Sequence, residues 1–442
     1  MVDEKKRWVG RRVLLGGAAA AAAGAVSYAG TGYAEAHPLD RVGTPTNPSE
    51  LVPSRPEMDV AVGRLERDLI ALRRDIHRHP ELAGRERRTA ALVASRLRAA
   101  GLQVTTNVGG HGVVGVLRGT RPGRTIAYRA DMDAVGPSDQ FGGGDEAAHL
   151  CGHDIHTTVG VGVAEVLARL RRKLAGTVVF VFQPAEENLT GAAAMLRDGV
   201  LELAGPSEIH ALHCGPFPVG HVAVTGGYGL PGLDRGTIEL TGPDAVGRAE
   251  RLAAEIGKLG TVTQPETPAA LERLVSDIQT PNGPLRRFVF MRAAPAGDPG
   301  TDRAEVSLSY RCWPAERYTV VRERVGRLAA ADGAASVRFP EDPFPAMFCP
   351  EQEGRAVERH LRSVAGPDRV ARLHAAIPFS GEDFALFLQR IPGTYTFLGV
   401  RTPGAELQSS YPHFGAFRPD ERAIRHGVGM MAGWLAARAA ST

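Results

Sequence analysis

From Val60 to Arg78 apolar residues recur at helical spacing (Val62, Leu65, Leu69, Ile70, Leu72, Ile76), which predicts a long amphipathic helix at the start of the fold. A second helix is expected over Thr89–Ala100, stopped by Gly101. Short apolar runs then alternate with helical stretches. Strands are predicted at Gly112–Arg118, Thr125–Ala130, Thr177–Gln183 and Ile209–His213, and helices at Thr157–Leu170 and Gly191–Asp198. Such alternation, with turn residues between, argues for an α/β sheet covered on both faces.

The pattern changes near Gly226. Strands at Thr237–Thr241, Phe288–Arg292, Ala304–Arg311 and Ala335–Phe339, with helices over Ala245–Leu259 and Glu316–Ala331, make a β-α-β-β-α-β set. That order is expected of a small, ferredoxin-like inserted domain. Beyond Pro343 the chain returns to helices and short strands that complete the first domain. The expected organisation is a catalytic domain over residues 60–227 and 344–442, interrupted by an α+β lid over residues 228–343.

The first 59 residues differ in character. Lys5, Lys6 and Arg7 precede the pair Arg11-Arg12, a Gly/Ala-rich apolar run from Val13 to Gly30 follows, and Ala34-Glu35-Ala36 offers a cleavage site. Residues 1–36 thus read as a signal peptide of twin-arginine type, directing export, with no membrane association after cleavage. Residues 37–59, rich in Pro, Ser and Thr, read as a linker. Charge narrows the partners little: 52 basic and 49 acidic residues leave a net charge of +3, with no basic stripe for nucleic acid. Four cysteines in so long a chain do not make a disulfide framework.

One of those cysteines lies in the densest group of potential ligands, His149-Leu-Cys151-Gly-His153-Asp154-Ile-His156, where Gly152 permits a tight bend. That composition suits a metal-binding loop. A second element follows the buried strand at 177–183, where Pro184 stops the strand and the adjacent acids Glu186 and Glu187 project. Strand ends of an α/β sheet are where active-site groups are delivered. Paired carboxylates can divide their labour, one binding metal and the other moving a proton. His213 closes a third strand. Three strand ends supplying Cys/His, Glu/Glu and His in order fit a two-metal hydrolytic site. The imidazoles and thiolate suit Zn²⁺, Mn²⁺ or Ni²⁺ better than Ca²⁺ or Mg²⁺. No Gly-x-Ser-x-Gly elbow supports a serine hydrolase.

The succession Asp75-Ile-His-Arg-His-Pro-Glu81-Leu, Tyr128-Arg-Ala-Asp131-Met-Asp133-Ala, Cys151-Gly-His-Asp-Ile-His156-Thr, Phe182-Gln-Pro-Ala-Glu-Glu187 and Ala211-Leu-His213 resembles the aminoacylase/carboxypeptidase clan of metallopeptidases. Within it, the chain is most similar to the hippurate hydrolase and indole-acetyl-amino-acid hydrolase branch. Ser380-Gly-Glu382-Asp383-Phe384 resembles a later element of the same clan. The resemblance implies two divalent ions (Mn²⁺ or Zn²⁺) held by Cys151, His153, Glu187 and His213, with Glu186 as general acid/base. It also implies that Asp131 and Asp133 orient ligands. The implied reaction is hydrolysis of the amide bond in N-acyl amino acids or short peptides. Relatives often dimerise through the lid, so a homodimer is an expectation too.

Three positions depart from the clan's pattern. Its last ligand histidine falls at Ser410, in Ser410-Tyr-Pro-His413-Phe, which leaves His413 as the candidate fifth ligand. A lid histidine that stabilises the oxyanion is missing, since no histidine occurs between His221 and His360. An asparagine expected before Asp302 is absent, whereas Arg311 is retained and can pair a substrate carboxylate bidentately. Two expectations follow: a working amidohydrolase with a remodelled lid, or a binding protein on the same fold with impaired turnover.

Overall fold

The computed structural model describes residues 52–298 and 300–441. The expected signal peptide lies outside them, as does most of the linker. Helix α1 (Arg55–His77) begins earlier than its apolar periodicity. Ser54 and Glu57 form a reciprocal capping box, and Pro56 sits in the first turn. The expected linker therefore ends by Ser54, because its last Ser and Pro are helix-start signals.

The chain continues through α2 (Arg87–Ala99), β1 (Gln103–Val108), β2 (Gly112–Arg118), β3 (Arg121–Asp131), α3 (His153–Arg169), β4 (Ala175–Gln183), α4 (Gly191–Arg197), β5 (Glu208–Pro218), β6 (Val222–Val224) and β7 (Gly229–Leu230). The lid follows with β8 (Asp234–Thr241), α5 (Ala245–Gly257), α6 (Pro268–Gln279), β9 (Phe288–Ala296), β10 (Arg303–Trp313), α7 (Tyr318–Ala331) and β11 (Ser336–Arg338). The return comprises β12 (Met347–Phe348), α8 (Glu351–Ala365), β13 (Val370–Arg372), α9 (Phe384–Leu388), β14 (Gly393–Arg401) and α10 (Arg422–Ala440). Among the described residues, no helix is long and apolar enough to cross a membrane.

The large sheet is mixed, in the order β1-β2-β4-β3-β5-β14-β6-β13. Its centre, β4-β3-β5-β14, is parallel. Helices α1, α3 and α10 pack on one face through a core that includes Leu69, Ile76, Val159, Val163, Val428 and Leu435. The opposite face meets a second core around Phe384, Phe387, Tyr395 and Phe397. Because the chain steps from β3 to β4 on one side and then to β5 on the other, the carboxyl ends of β3 and β4 open beside β5. Such a switch point is where open α/β sheets bind ligands.

The lid is an antiparallel sheet in the order β11-β8-β10-β9, as the β-α-β-β-α-β pattern implied. Its core lies between one face of that sheet and helices α5 and α7. Sequence periodicity missed α6. Its buried residues Leu271, Leu274, Val275 and Ile278 join the catalytic-domain core instead of the lid's. Two reaches were underestimated. Helix α3 starts at His153, so His153 and His156 belong to its first turn and not to a loop. Strand β5 runs through His213 to Pro218, because β14 pairs with it from Ile209 to Gly215 and again at Pro218.

Candidate metal centre

Gly152 sets the geometry. Its φ of 91° lies in the left-handed region, and a Cβ there would come 2.6 Å from the Cys214 sulfur. Only glycine turns the chain into α3 so tightly. The turn places Cys151 and His153 on the same side. On the facing loop, Ala185 takes a φ of 55°, an unusual conformation for a residue with a Cβ. It is held there by Glu86, whose Oε1 accepts from the Ala185 N–H at 2.9 Å. Asp133 does the rest: its two carboxylate oxygens accept from the Glu186 N–H (3.1 Å) and the Glu187 N–H (2.9 Å).

All five candidate ligands converge. Cys151 Sγ lies 3.3 Å from His213 Nε2, His153 Nε2 lies 3.6 Å from Glu187 Oε1, and His413 Nε2 lies 3.3 Å from Glu187 Oε2. Two triads, Cys151/His153/His213 and Cys151/Glu187/His413, share the cysteine sulfur. Three imidazoles are fixed alike. His153 Nδ1 donates to the Asp133 carbonyl (2.8 Å), His213 Nδ1 to the Cys214 carbonyl (2.8 Å) and His413 Nδ1 to the Asp139 carbonyl (3.0 Å). Each therefore turns Nε2 into the cluster, the arrangement that orients a metal-ligating histidine. His413 reaches its place with a φ of 69°. Ser410, at the position where the clan has its ligand, is buried and gives its hydroxyl to the Leu407 carbonyl.

His156 is excluded by the same accounting. Its Nε2 accepts from the Cys214 N–H (2.7 Å) and its Nδ1 donates to Asp131 (2.6 Å), so no lone pair remains. It props the wall of the site. Asp131 in turn meets Arg129 at 2.5 Å, and Arg129 also binds Glu382 (2.8 Å) and Asp383 (3.1 Å). Arg129 thus ties the Ser380–Phe384 segment to the end of β3. Sequence reasoning assigned no role to Arg129, His156 or Glu86. The first two stand inside recognisable motifs; Glu86 gives no local signal.

The donor set fits divalent cations. His153 Nε2 and Glu187 Oε1 are buried without a hydrogen-bond partner, a costly condition unless something binds there. The charges agree. Burial, then Glu187 and Glu186, push the Cys151 thiol well above its usual range. Burial opposes a charge on His153, yet Asp131, Asp133 and Glu187 together lift it to about 10. Burial, then Glu382 and Glu187, raise Glu186. Burial raises Cys151 and Glu186, clustered carboxylates raise all three groups, and bound cations would oppose those three shifts. His213 is instead lowered, by burial and by His156, which keeps it neutral and able to bind a cation.

This centre forms the floor of a cleft of about 360 Å³ whose roof comes from the lid. The lid contributes Arg235, Phe290, Arg292, Ser309 and Arg311, and the catalytic domain contributes Phe141, Tyr411 and Phe414 at the rim. Arg311, expected to meet substrate, lines the same cleft as Glu186.

Fold and site together define a two-domain hydrolase with a buried dinuclear-type ligand cluster. Residues 127–437 match Peptidase family M20/M25/M40, and the chain belongs to that family. It is 32% identical over 378 residues to a probable hydrolase of Synechocystis, covering 81% of this chain and 93% of that one. It is also 32% identical to an N-acetylcysteine deacetylase of Bacillus subtilis, with 80% and 93% covered. An IAA-amino acid hydrolase of Arabidopsis thaliana is 28% identical, with 82% and 84% covered. Among solved structures, a dinuclear metal-binding peptidase of the M20 family from Bacillus subtilis superposes with a TM-score of 0.64 at 28% identity, covering 85% of this chain and 99% of that one. The protein is therefore a metal-dependent amidohydrolase of this family.

Proposed function

We propose that the protein hydrolyses the amide bond of N-acyl amino acids or short N-acylated peptides, with Glu186 as general acid/base. The observation that carries this reading is the position of Glu186: buried, next in sequence to the candidate ligand Glu187, with its Oε2 3.8 Å from His153 Nε2 at the edge of the cluster and outside the two triads that share the Cys151 sulfur. Cys151, His153, Glu187, His213 and His413 would hold two ions, Mn²⁺ or Zn²⁺. When bound, such ions supply Lewis-acid polarisation of the scissile carbonyl and lower the pKa of water. Glu186 accepts the proton of the attacking water and returns it to the departing nitrogen as the C–N bond breaks. Arg311 receives the carboxylate of the amine half in a bidentate pair. Substrates of the relatives, N-acetylcysteine and IAA-amino acids by their names, are consistent with this chemistry. No observation favours the non-catalytic reading.

The test is metal content by elemental analysis together with hydrolysis of a panel of N-acyl amino acids. Nearly two metals per chain and chelator-sensitive turnover are expected. A metal-loaded protein that cleaves nothing on the panel would overturn the reading. Export is also proposed, on the Arg11-Arg12 segment and the Ala34-Glu35-Ala36 site. N-terminal sequencing of protein from the culture medium should begin at His37.

A further inference from the structure

Three arginines face the metal centre from the lid, and their placement follows from strand register. In β10, Ser309 pairs with Arg235 of β8 on one side and with Arg292 of β9 on the other. Residues paired across strands share a face, so Arg235, Ser309 and Arg292 form one row across the sheet. Arg311, two residues further along β10, lies on that same face because side chains alternate with period two. The other face, with Val306, Leu308, Tyr310 and Cys312, is the lid core. Arg235, Arg292, Ser309 and Arg311 all line the cleft, as does Phe290 opposite Arg311.

The row carries charge that the protein does not neutralise. Among the described residues, no Asp or Glu forms an ion pair with Arg235, Arg292 or Arg311. By contrast Asp234, Glu239 and Asp332 of the lid each hold an arginine elsewhere. Arg235 and Arg292 are exposed and flank Ser309, one strand to either side of it. Arg292 is nonetheless held in position: its Nη2 donates to Gln264 Oε1 at 2.7 Å, and its guanidinium lies 5.1 Å from the centre of the Phe290 ring. Arg311 packs against Gly381, where a Cβ would meet its Nη1 at 2.3 Å, and its Nη1 reaches only the Gly232 carbonyl at 3.5 Å. Burial first, then Arg235 and Arg292, lower the Arg311 guanidinium to about 10 against the pull of Glu186. One monocarboxylate on Arg311 would leave the other two cations uncompensated.

We infer that Arg235 and Arg292 form a second anion subsite beside Arg311, and that the substrate is the N-acyl derivative of an acidic, dicarboxylic amino acid. The α-carboxylate goes to Arg311 and the side-chain carboxylate to the Arg235–Arg292 row. Arg235 and Arg292 each lie two residues along and one strand over from Arg311, about 8 Å away by strand geometry, a separation that one small dicarboxylate can bridge with help from long arginine side chains. Arg235 and Arg292 are specificity-determining residues in this scheme. The scheme rests on the amidohydrolase reading above.

The experiment uses the metal-loaded full chain and compares kcat/KM for N-acetyl-glutamate, N-acetyl-glutamine and N-acetyl-alanine. Glutamine has the shape of glutamate without its second charge. The expected preference for glutamate over glutamine is about 10- to 100-fold, carried mainly by KM. In R235Q and R292Q that ratio should fall toward one, and R292K should restore part of it. Glutamine or alanine turned over as well as glutamate would overturn the second subsite while leaving the amidohydrolase reading intact. An equal loss on all three substrates in R235Q and R292Q would also overturn it, since that is what a merely structural lid contact would give. No turnover of any substrate would instead remove the amidohydrolase reading on which the inference stands.

Discussion

The two ends of the central sheet treat buried carboxylates in opposite ways. At the start of β5, Glu208 is 1% exposed and pairs with Arg124 (2.6 Å) and Arg438 (2.8 Å), with His210 at 3.3 Å. Burial alone would raise its pKa; hydrogen bonds and charges from His210 and Arg438 outweigh that and bring it to about 2. At the other end Asp131, Glu382 and Asp383 contact one buried cation, Arg129, with Glu186 also in its field, and burial, aided by Glu382 and opposed by Arg129, holds Asp383 at about 8. The first end is electrostatically closed and serves stability. The second is left short of positive charge, which is the condition for binding divalent cations.

The comparison can be broken at either end. Glu186→Gln should lower kcat by about 10²- to 10⁴-fold while metal content stays the same. Elemental analysis alongside kinetics checks this, and retained activity would remove Glu186 from its role. Glu208→Gln should instead spare the metals and destabilise the fold by about 3 kcal/mol at pH 7. The sign is fixed by the depressed folded-state pKa. The stabilisation is complete above the unfolded value of 4.5 and disappears as pH falls toward 2. Chemical unfolding of metal-stripped wild type and variant should thus differ at pH 7 and converge near pH 2. A constant gap across that range would show that packing, and not charge, is what Glu208 supplies.

Smaller effects sharpen the contrast. Asp133→Ala removes both acceptors for the Glu186 and Glu187 N–H groups and should weaken metal affinity about 10- to 100-fold, measured by competition with a chelating indicator. Unchanged affinity would mean that Glu86 alone holds the loop. Cys151→Ala should lower metal stoichiometry, because both ligand triads use its sulfur. Two metals bound as tightly as before would take Cys151 off the ligand set.

Local patterns in the chain were enough to reveal the alternating α/β core, the β-α-β-β-α-β lid and the ligand motifs, since each depends on near neighbours: strand period, a glycine bend, a proline stop. Cys151, His153, Glu186, Glu187 and His213 were legible for that reason. Four things were not. The role of His413 depended on whether a loop far along the chain bends back to Glu187, and it does so through a strained φ. The helix α6 escaped notice because its apolar stripe answers to the catalytic core rather than to its own domain. The buried hub at Arg129 joins β3 to carboxylates some 250 residues away, a separation no local pattern reports. The arginine row on the lid exists only through the pairing of β8, β10 and β9, which sets Arg235, Ser309 and Arg292 side by side. Sequence by itself determined which side chains could do the chemistry, because residue type and spacing fix donors and turns. Tertiary structure decided which of them meet, because convergence depends on strand register and on where buried charge finds its partners.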